Sequence, residues 1–290
     1  MSRTFKLNTA FLCLMSLFIM TLCGFSAPAP TEADGTENDE RYEEVTIYVD
    51  GIRTALGYII SGETYMPVRS YCELLELSYV PDEPGEDWAF QAELAGAEIS
   101  IPESGEYIEV SGRYFYLPNG PKEIGGEYSL PVVAMSKIIG AQVQWDESSE
   151  SVDIDATSLE ELVPGEEFYD YDDVYWLSRI ISAESGNQPI DGMIGVGNVV
   201  LNRVADPSCP DTVFDVIFDT KYGVQFAPVE TGAIYNEPNE QSVIAAKLCL
   251  DGYQVVDDAL YFLNPAAGGT QWFRQTRTFV ASIGDHDFYA

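Results

Sequence analysis

The sequence predicts an α+β protein in which a small α/β tandem-repeat module precedes a mainly helical region. Three observations predict this. Residues 45–155 alternate apolar and polar side chains with the period of two that suits half-buried strands, as in Val45-Thr46-Ile47-Tyr48-Val49 and Tyr107-Ile108-Glu109-Val110. Within them, Gly62-Glu63-Thr64-Tyr65-Met66-Pro67-Val68 returns at an offset of 64 as Gly126-Glu127-Tyr128-Ser129-Leu130-Pro131-Val132. Beyond residue 169 the apolar spacing lengthens to three and four, the period of a helix face, in Val174, Leu177 and Ile181.

Taken in order, Arg3 and Lys6 precede an apolar run from Ala10 to Leu22 and the small-residue site Gly24-Phe25-Ser26, so residues 1–26 read as a signal peptide. Leu22 is a poor fit to the small residue that a lipoprotein site wants before Cys23. No later stretch approaches about 20 apolar residues, so no integral membrane anchor is expected after signal cleavage, and the protein is expected to be exported. Residues 27–44 are acidic and poor in apolar side chains, the composition of a flexible linker. Residues 45–155 then read as two units of strand, Pro-Val, short helix (Leu74-Leu75; Ile138-Ile139), strand and acidic turn (Asp82; Asp146), the second closing on Val152-Asp153-Ile154. Pro164-Gly165 among acids marks 156–168 as a second linker. Residues 169–290 remain as a unit large enough for its own core.

The chemistry concentrates in Ser182-Ala183-Glu184-Ser185-Gly186-Asn187-Gln188-Pro189. Glu184 continues the series of Val174, Leu177 and Ile181, so the apolar stripe runs into a carboxylate where a Gly/Asn/Pro turn ends the helix. Desolvation on that stripe raises a carboxyl pKa and keeps the proton that a general acid needs. The plainer reading is a Glu that caps backbone or pairs with Arg179 or Arg203. Residues 191–204 read as a second helix with Asp191 as its cap, and Gly192, Gly195 and Gly197 cost it roughly 1 kcal/mol each against Ala. Glycines kept at that cost point to close approach of another backbone, here expected to be that of the helix carrying Glu184. Aromatic rings beside Gln and Asn side chains then recur in Gln225-Phe226, Tyr261-Phe262-Leu263-Asn264 and Trp272-Phe273, a pairing suited to sugar faces and hydroxyls. For Phe262 and Phe273 core packing is the stronger reading.

From Trp176 to Tyr289 the chain resembles the catalytic domain of the spore cortex-lytic cell-wall hydrolases. The residues that carry the likeness are Ala183-Glu184, Val196-Gly197-Asn198-Val199-Val200-Leu201-Asn202-Arg203-Val204, Gln225-Phe226-Ala227-Pro228-Val229, Tyr261-Phe262-Leu263-Asn264-Pro265 and Ile283-Gly284-Asp285-His286-Asp287-Phe288-Tyr289. The resemblance implies a lysozyme-like fold and cleavage of peptidoglycan between N-acetylmuramic acid and N-acetylglucosamine, with Glu184 as the single essential acid. It also implies Asn202, Arg203, Gln225, Phe226, Tyr261, Asn264 and Trp272 as substrate-binding candidates. Many members carry a second Glu where this chain has Gln188. One carboxylate suits a lytic transglycosylase, which gives 1,6-anhydro products without consuming water, whereas ordinary glycosidases use two acids. Hydrolysis by the same Glu, as a muramidase, stays open, as does a wall or spore protein that binds glycan without cutting it.

Residues 45–155 resemble the N-terminal module of copper amine oxidases. The sequence argues against copper there: His286 is the only histidine and lies in the other region, and no metal or other cofactor is expected. A non-catalytic targeting role is expected of the module. The formal charge of -34 excludes nucleic acid as a partner and leaves wall binding to local sugar contacts. Arg203, Arg274 and Arg277 offer a local positive spot for muramyl carboxylates, although a solvated face is an equal reading for the last two. Removal of the signal takes Cys13 and Cys23 and leaves Cys72, Cys209 and Cys249, so at least one thiol is free. Cys209 and Cys249 form a candidate disulfide, which export permits. A Cys nucleophile with His286 as base is disfavoured, because neither Cys stands in a Gly-flanked helix start that would activate it.

Overall fold

Three strands open the described chain, β1 (Glu43–Val49), β2 (Ile52–Ile60) and β3 (Glu63–Pro67), joined by the tight turns Asp50-Gly51 and Ser61-Gly62. Both residues of each turn have positive φ, the conformation that matches the twist of a hairpin. The computed structural model describes residues 42–83, 88–94, 96–221, 223–267 and 270–290. The expected signal peptide and most of the acidic stretch after it lie outside the described residues.

After β3, Pro67 enters helix α1 (Val68–Leu74). A five-stranded antiparallel meander follows, of β4 (Tyr79–Asp82), β5 (Trp88–Leu94), β6 (Ala97–Pro102), β7 (Tyr107–Val110) and β8 (Arg113–Tyr116). Then come β9 (Lys122–Ile124), β10 (Glu127–Pro131), α2 (Val132–Ile138), β11 (Gln142–Asp146) and β12 (Ser151–Asp155). The second sheet has the order β11-β12-β1-β2-β3-β10-β9, antiparallel except for β1 on β12. The repeat explains its centre. Met66 lies directly opposite Leu130 in the β3–β10 pair, and these two are equivalent positions of the two copies, so the copies meet about a local two-fold axis. Pro67 and Pro131 cap their helices with nearly the same backbone, φ -55 and -57. Both sheets bury their apolar faces in one core that includes Ile47, Met66, Ile99, Ile108, Leu130 and Ile154.

The connecting segment is packed rather than free. Glu160 N–H donates to Ile139 O, Leu162 lies against the module core, and α3 (Gly165–Phe168) begins where Gly165 N–H donates to Ser111 O. Next are α4 (Tyr171–Ser185), α5 (Ile190–Ala205), α6 (Val213–Ile217), α7 (Ala227–Thr231) and α8 (Glu240–Leu250). Asp170 caps α4 by accepting from the N–H groups of Asp172 and Asp173. Helices α4, α5 and α8 share a core of Leu177, Ile180, Ile181, Ile194, Val200 and Leu248. A small antiparallel sheet of β13 (Tyr261–Leu263), β14 (Phe279–Ile283) and β15 (His286–Tyr289) closes on α5, with α9 (Thr270–Thr276) between β13 and β14. The whole from Tyr42 to Ala290 is one compact unit, mixed α+β.

The glycines of α5 make room for neighbours, though not as the spacing suggested. A Cβ on Gly195 would meet the ring of Phe288 at 2.7 Å, and one on Gly197 would meet Cys249 Sγ at 2.6 Å and Ile181 Cδ1 at 2.9 Å. What approaches α5 is therefore side chains from β15, α8 and α4, not the α4 backbone.

Candidate active site

Glu184 lies one residue before the end of α4, in register with buried Leu177 and Ile181. It is half-buried, and among the described residues none pairs with its carboxylate or donates to it. The two arginines that sequence spacing offered are engaged elsewhere. Arg179 stacks on the Tyr175 ring at 3.7 Å and donates to Glu237, while Arg203 Nε donates to Leu260 O. With burial unopposed by any donor or cation, the carboxyl is pushed up to about 7. A carboxyl in that range holds its proton near neutrality and can also give it up, which is the property of a general acid and base.

The end of α4 is pinned from two sides. Asn239 Oδ1 caps α8 by accepting from Ser242 N–H, and Asn239 Nδ2 donates to Gly186 O. Its backbone N–H donates to Ser182 Oγ. A Cβ on Gly186 would come within 3.0 Å of Asn239 Nδ2, so the glycine lets α8 reach the turn. The sequence analysis does not single out Asn239, although an Asn followed by an acid, Glu240, before an apolar run is a helix-start signal. On the other side Gln188 Oε1 accepts from Asp285 N–H while its Nε2 donates to Asp285 Oδ2. An amide can do both; a glutamate here would face the Asp285 carboxylate without a proton to give. Gln188 therefore ties the α4–α5 turn to the β14–β15 turn.

Asp191, the acid nearest in sequence after the turn, accepts a hydrogen bond from Tyr116 Oη of the repeat module. Asn202 Nδ2 donates to Asp257 O and Ala259 O, Asn264 Oδ1 accepts from Ala266 N–H, and Phe226 is buried against Phe262. These three candidates are committed to holding loops and core. Arg203, Gln225 and Tyr261 come together around one cavity of about 120 Å³, which Cys209 and Asp219 also line. Arg203 and Arg277 flank the Tyr261 ring at 5.5 and 4.4 Å, whereas Arg274 faces Asp287. Trp272 is exposed on α9, its ring edge-on to Phe273. Larger cavities lie in the repeat module, one of about 690 Å³ beside Trp145, where hydrogen bonds from Ser149 and Ser148 hold the Asp146 carboxyl below its ordinary value. The acid, not cavity size, marks the site.

The candidate disulfide is corrected: Cys72, Cys209 and Cys249 are all free. Cys249 Sγ is buried between α8 and α5 and donates to Ile194 O, while Cys209 lies in the turn after α5. Burial pushes the Cys249 thiol up, away from the thiolate that a nucleophile needs. His286 is buried edge-on to Phe262, which pulls its pKa down and leaves the ring neutral, and its Nδ1 has no partner among the described residues. The described residues of the module offer no copper site. Among the described residues no group of three or more His, Cys, Asp or Glu is placed to hold a metal ion, and Cys72 is shut in the core.

The helical region carries one unpaired, desolvated acid and is joined to a two-fold repeat module, and each part matches a known family. Residues 187–289 match the family model of cell wall hydrolases, and residues 48–154 match that of the copper amine oxidase N-terminal domain. Glu184 stands three residues before the first of these spans. Among curated proteins, the spore cortex-lytic enzyme of Bacillus cereus is 34% identical over 120 residues, covering 41% of this chain and 45% of that protein. The enzymes of the same name from Oceanobacillus iheyensis and Bacillus subtilis are 32% and 31% identical, covering 42% and 37% of their lengths. The chain thus spans less than half of the curated relatives it matches. Among solved structures, the catalytic domain of the germination-specific lytic transglycosylase SleB from Bacillus anthracis is 34% identical, with a TM-score of 0.39, covering 44% of this chain and 100% of that one. Among the described residues no helix is long and apolar enough to cross a membrane.

Proposed function

We propose that this protein cleaves the glycan strand of peptidoglycan as a lytic transglycosylase, with Glu184 as its acid and base. The observation that carries the reading is the solitary Glu184 carboxyl, half-buried at a helix end and pushed up to about 7. In the first step Glu184 protonates the glycosidic oxygen between N-acetylmuramic acid and N-acetylglucosamine, and the bond from the muramyl C1 to that oxygen breaks. The N-acetyl carbonyl of the muramyl residue stabilises the cation left at C1. The glutamate then takes the proton of the muramyl 6-hydroxyl as O6 closes on C1. The acid is regenerated, no water enters, and a 1,6-anhydro end results. Asp191 is the other carboxylate close in sequence, and its bond to Tyr116 supports a one-acid route over a two-acid one. The names of the relatives support spore cortex as the substrate and germination as the setting. The lysozyme-like reading of the helical region rests on the same resemblance. The N-terminal 1–26 segment supports export to the spore envelope or wall, with peptidoglycan as partner and no nucleic acid.

Cleavage in heavy-oxygen water tests the chemistry. Anhydro ends free of label are expected, whereas label at the new reducing ends means hydrolysis and a muramidase. Glu184→Gln is expected to keep glycan binding and lose at least about 100-fold in cleavage, measured by product release from purified cortex and vegetative sacculi. Activity within a few-fold of the parent overturns the assignment.

A further inference from the structure

The repeat module reaches into the helical region chiefly through the β7–β8 hairpin, with a further contact where Lys137 of α2 lies over the Tyr253 ring at 4.1 Å. Tyr107 of β7 is buried in the same apolar cluster as Leu177, Ile181 and Leu248, and Tyr114 and Tyr116 of β8 lie against it. Around this apolar centre stand four polar ties. Arg113 pairs with Asp251 just after α8, and the two side chains are only 13% and 4% exposed. Tyr169 Oη accepts from Tyr114 N–H of β8 at 3.3 Å and donates to the same carboxylate at 2.6 Å. Lys247 Nζ donates to Gly112 O in the hairpin turn at 3.3 Å. Tyr116 Oη donates to Asp191 in the first turn of α5, with its ring edge-on to Tyr253. The connecting segment adds a backbone contact so close that a Cβ on Gly165 would fall 2.2 Å from Gly112 O.

This is a seam built like a protein interior, with a buried ion pair fully supplied with donors at its edge. A tethered targeting arm needs none of it.

We propose that the β7–β8 hairpin is a fixed clamp on the catalytic helices, in which Tyr116 and Arg113 are positioning residues that hold the α4–α5 corner. Tyr116 fixes Asp191, seven residues beyond Glu184, so the turn between them is held at both ends. Arg113 and Tyr169 fix the end of α8, whose start carries Asn239 and through it the end of α4. The module thereby sets where the acid stands. It also occupies Asp191 with a donor, which withholds that carboxylate from the site. The positioning role rests on the proposed function; the clamp itself does not.

Two experiments separate these. A protease site placed at the exposed Thr157–Ser158 step allows the folded full chain to be nicked between the two regions. The halves are expected to co-elute in gel filtration at micromolar concentration, in the parent and equally in Glu184→Gln, and Arg113→Ala is expected to weaken their association at least tenfold. Halves that separate in the parent overturn the clamp, whatever the enzyme cleaves. In the intact chain, Tyr116→Phe removes only the bond to Asp191 and keeps the ring. It is expected to speed exchange of the Gly192 and Met193 amides, both bonded to Pro189 O, at least tenfold. It is also expected to lower kcat on soluble glycan fragments with KM within twofold. Unchanged exchange and unchanged kcat overturn the positioning role. Halves that stay together in a chain that cleaves no glycan would leave the clamp standing and sink the proposed function alone.

Discussion

Glu184 makes a stability prediction as well as a catalytic one. Its carboxyl is raised from 4.5 to about 7 by burial alone, so the folded state holds a proton that the unfolded chain has released between those two values. The protonated carboxyl costs nothing extra below pH 4.5. As pH rises through the window to about 7, folding must either keep the proton or bury a charge, and stability falls. Glu184→Gln removes that loss. The variant is expected to match the parent near pH 4 and to be the more stable above pH 7, by up to about 3 kcal/mol, as read from urea unfolding at a series of pH values. An equal gap at every pH would mean that the carboxyl is not desolvated. Cleavage by the parent is expected to decline as pH rises above about 7, because the first step needs the protonated acid. The spacing from Leu177 through Ile181 to Glu184 alone places the acid on a buried stripe. It gave no sign that Arg179 and Arg203 would both be occupied elsewhere, since their partners, Glu237 and Leu260 O, are 58 and 57 residues away.

Helix ends decide the geometry at the next scale. Asn239 serves two helices, capping α8 and holding the last carbonyl region of α4 through Gly186 O. Asn239→Ala is expected to cost about 1–2 kcal/mol in urea unfolding, the usual loss for a removed cap, and to lower cleavage more than binding because the turn beyond Glu184 loses its anchor. A variant as stable as the parent would mean that water replaces both bonds. Helices α4 and α5 are legible from their period, α5 with both ends within one residue and α4 at its C-terminal end. The three-stranded sheet was not, because β13 and β15 have only three and four residues, too few for any period to show. Asn202 bonds loop carbonyls and Phe226 is buried, and in a motif such polar and aromatic residues look alike whether they meet a sugar or hold a loop.

Across the whole molecule, two regions of distinct composition behave as one body. The buried Arg113–Asp251 pair and Tyr107 couple them, so unfolding of one exposes the seam of the other. Trp88 and Trp145 report on the repeat module, and Trp176 and Trp272 on the helical region. Chains with tryptophan left in only one region are expected to give urea transitions that coincide in midpoint, as a single cooperative unit requires. Midpoints that differ by more than the fitting error would show two independently stable domains and no clamp of consequence.

Local sequence patterns fix the repeat units, the long helices and the acid. The repeat at 64 residues fixed two equivalent strand–helix units, and their antiparallel pairing about Met66 and Leu130 is the arrangement that equal copies favour. Helical spacing fixed Glu184 at the end of a buried face. These are local properties, written in patterns of a few residues. Tertiary structure alone decided what surrounds the acid and what the module is for. That Gln188 reaches Asp285, that Asp191 is held by Tyr116 and that Arg113 meets Asp251 depend on residues 75 to 138 positions apart in the chain. Composition marked Pro164-Gly165 as a free linker, and only the fold showed that a glycine there is needed to lay one backbone against another.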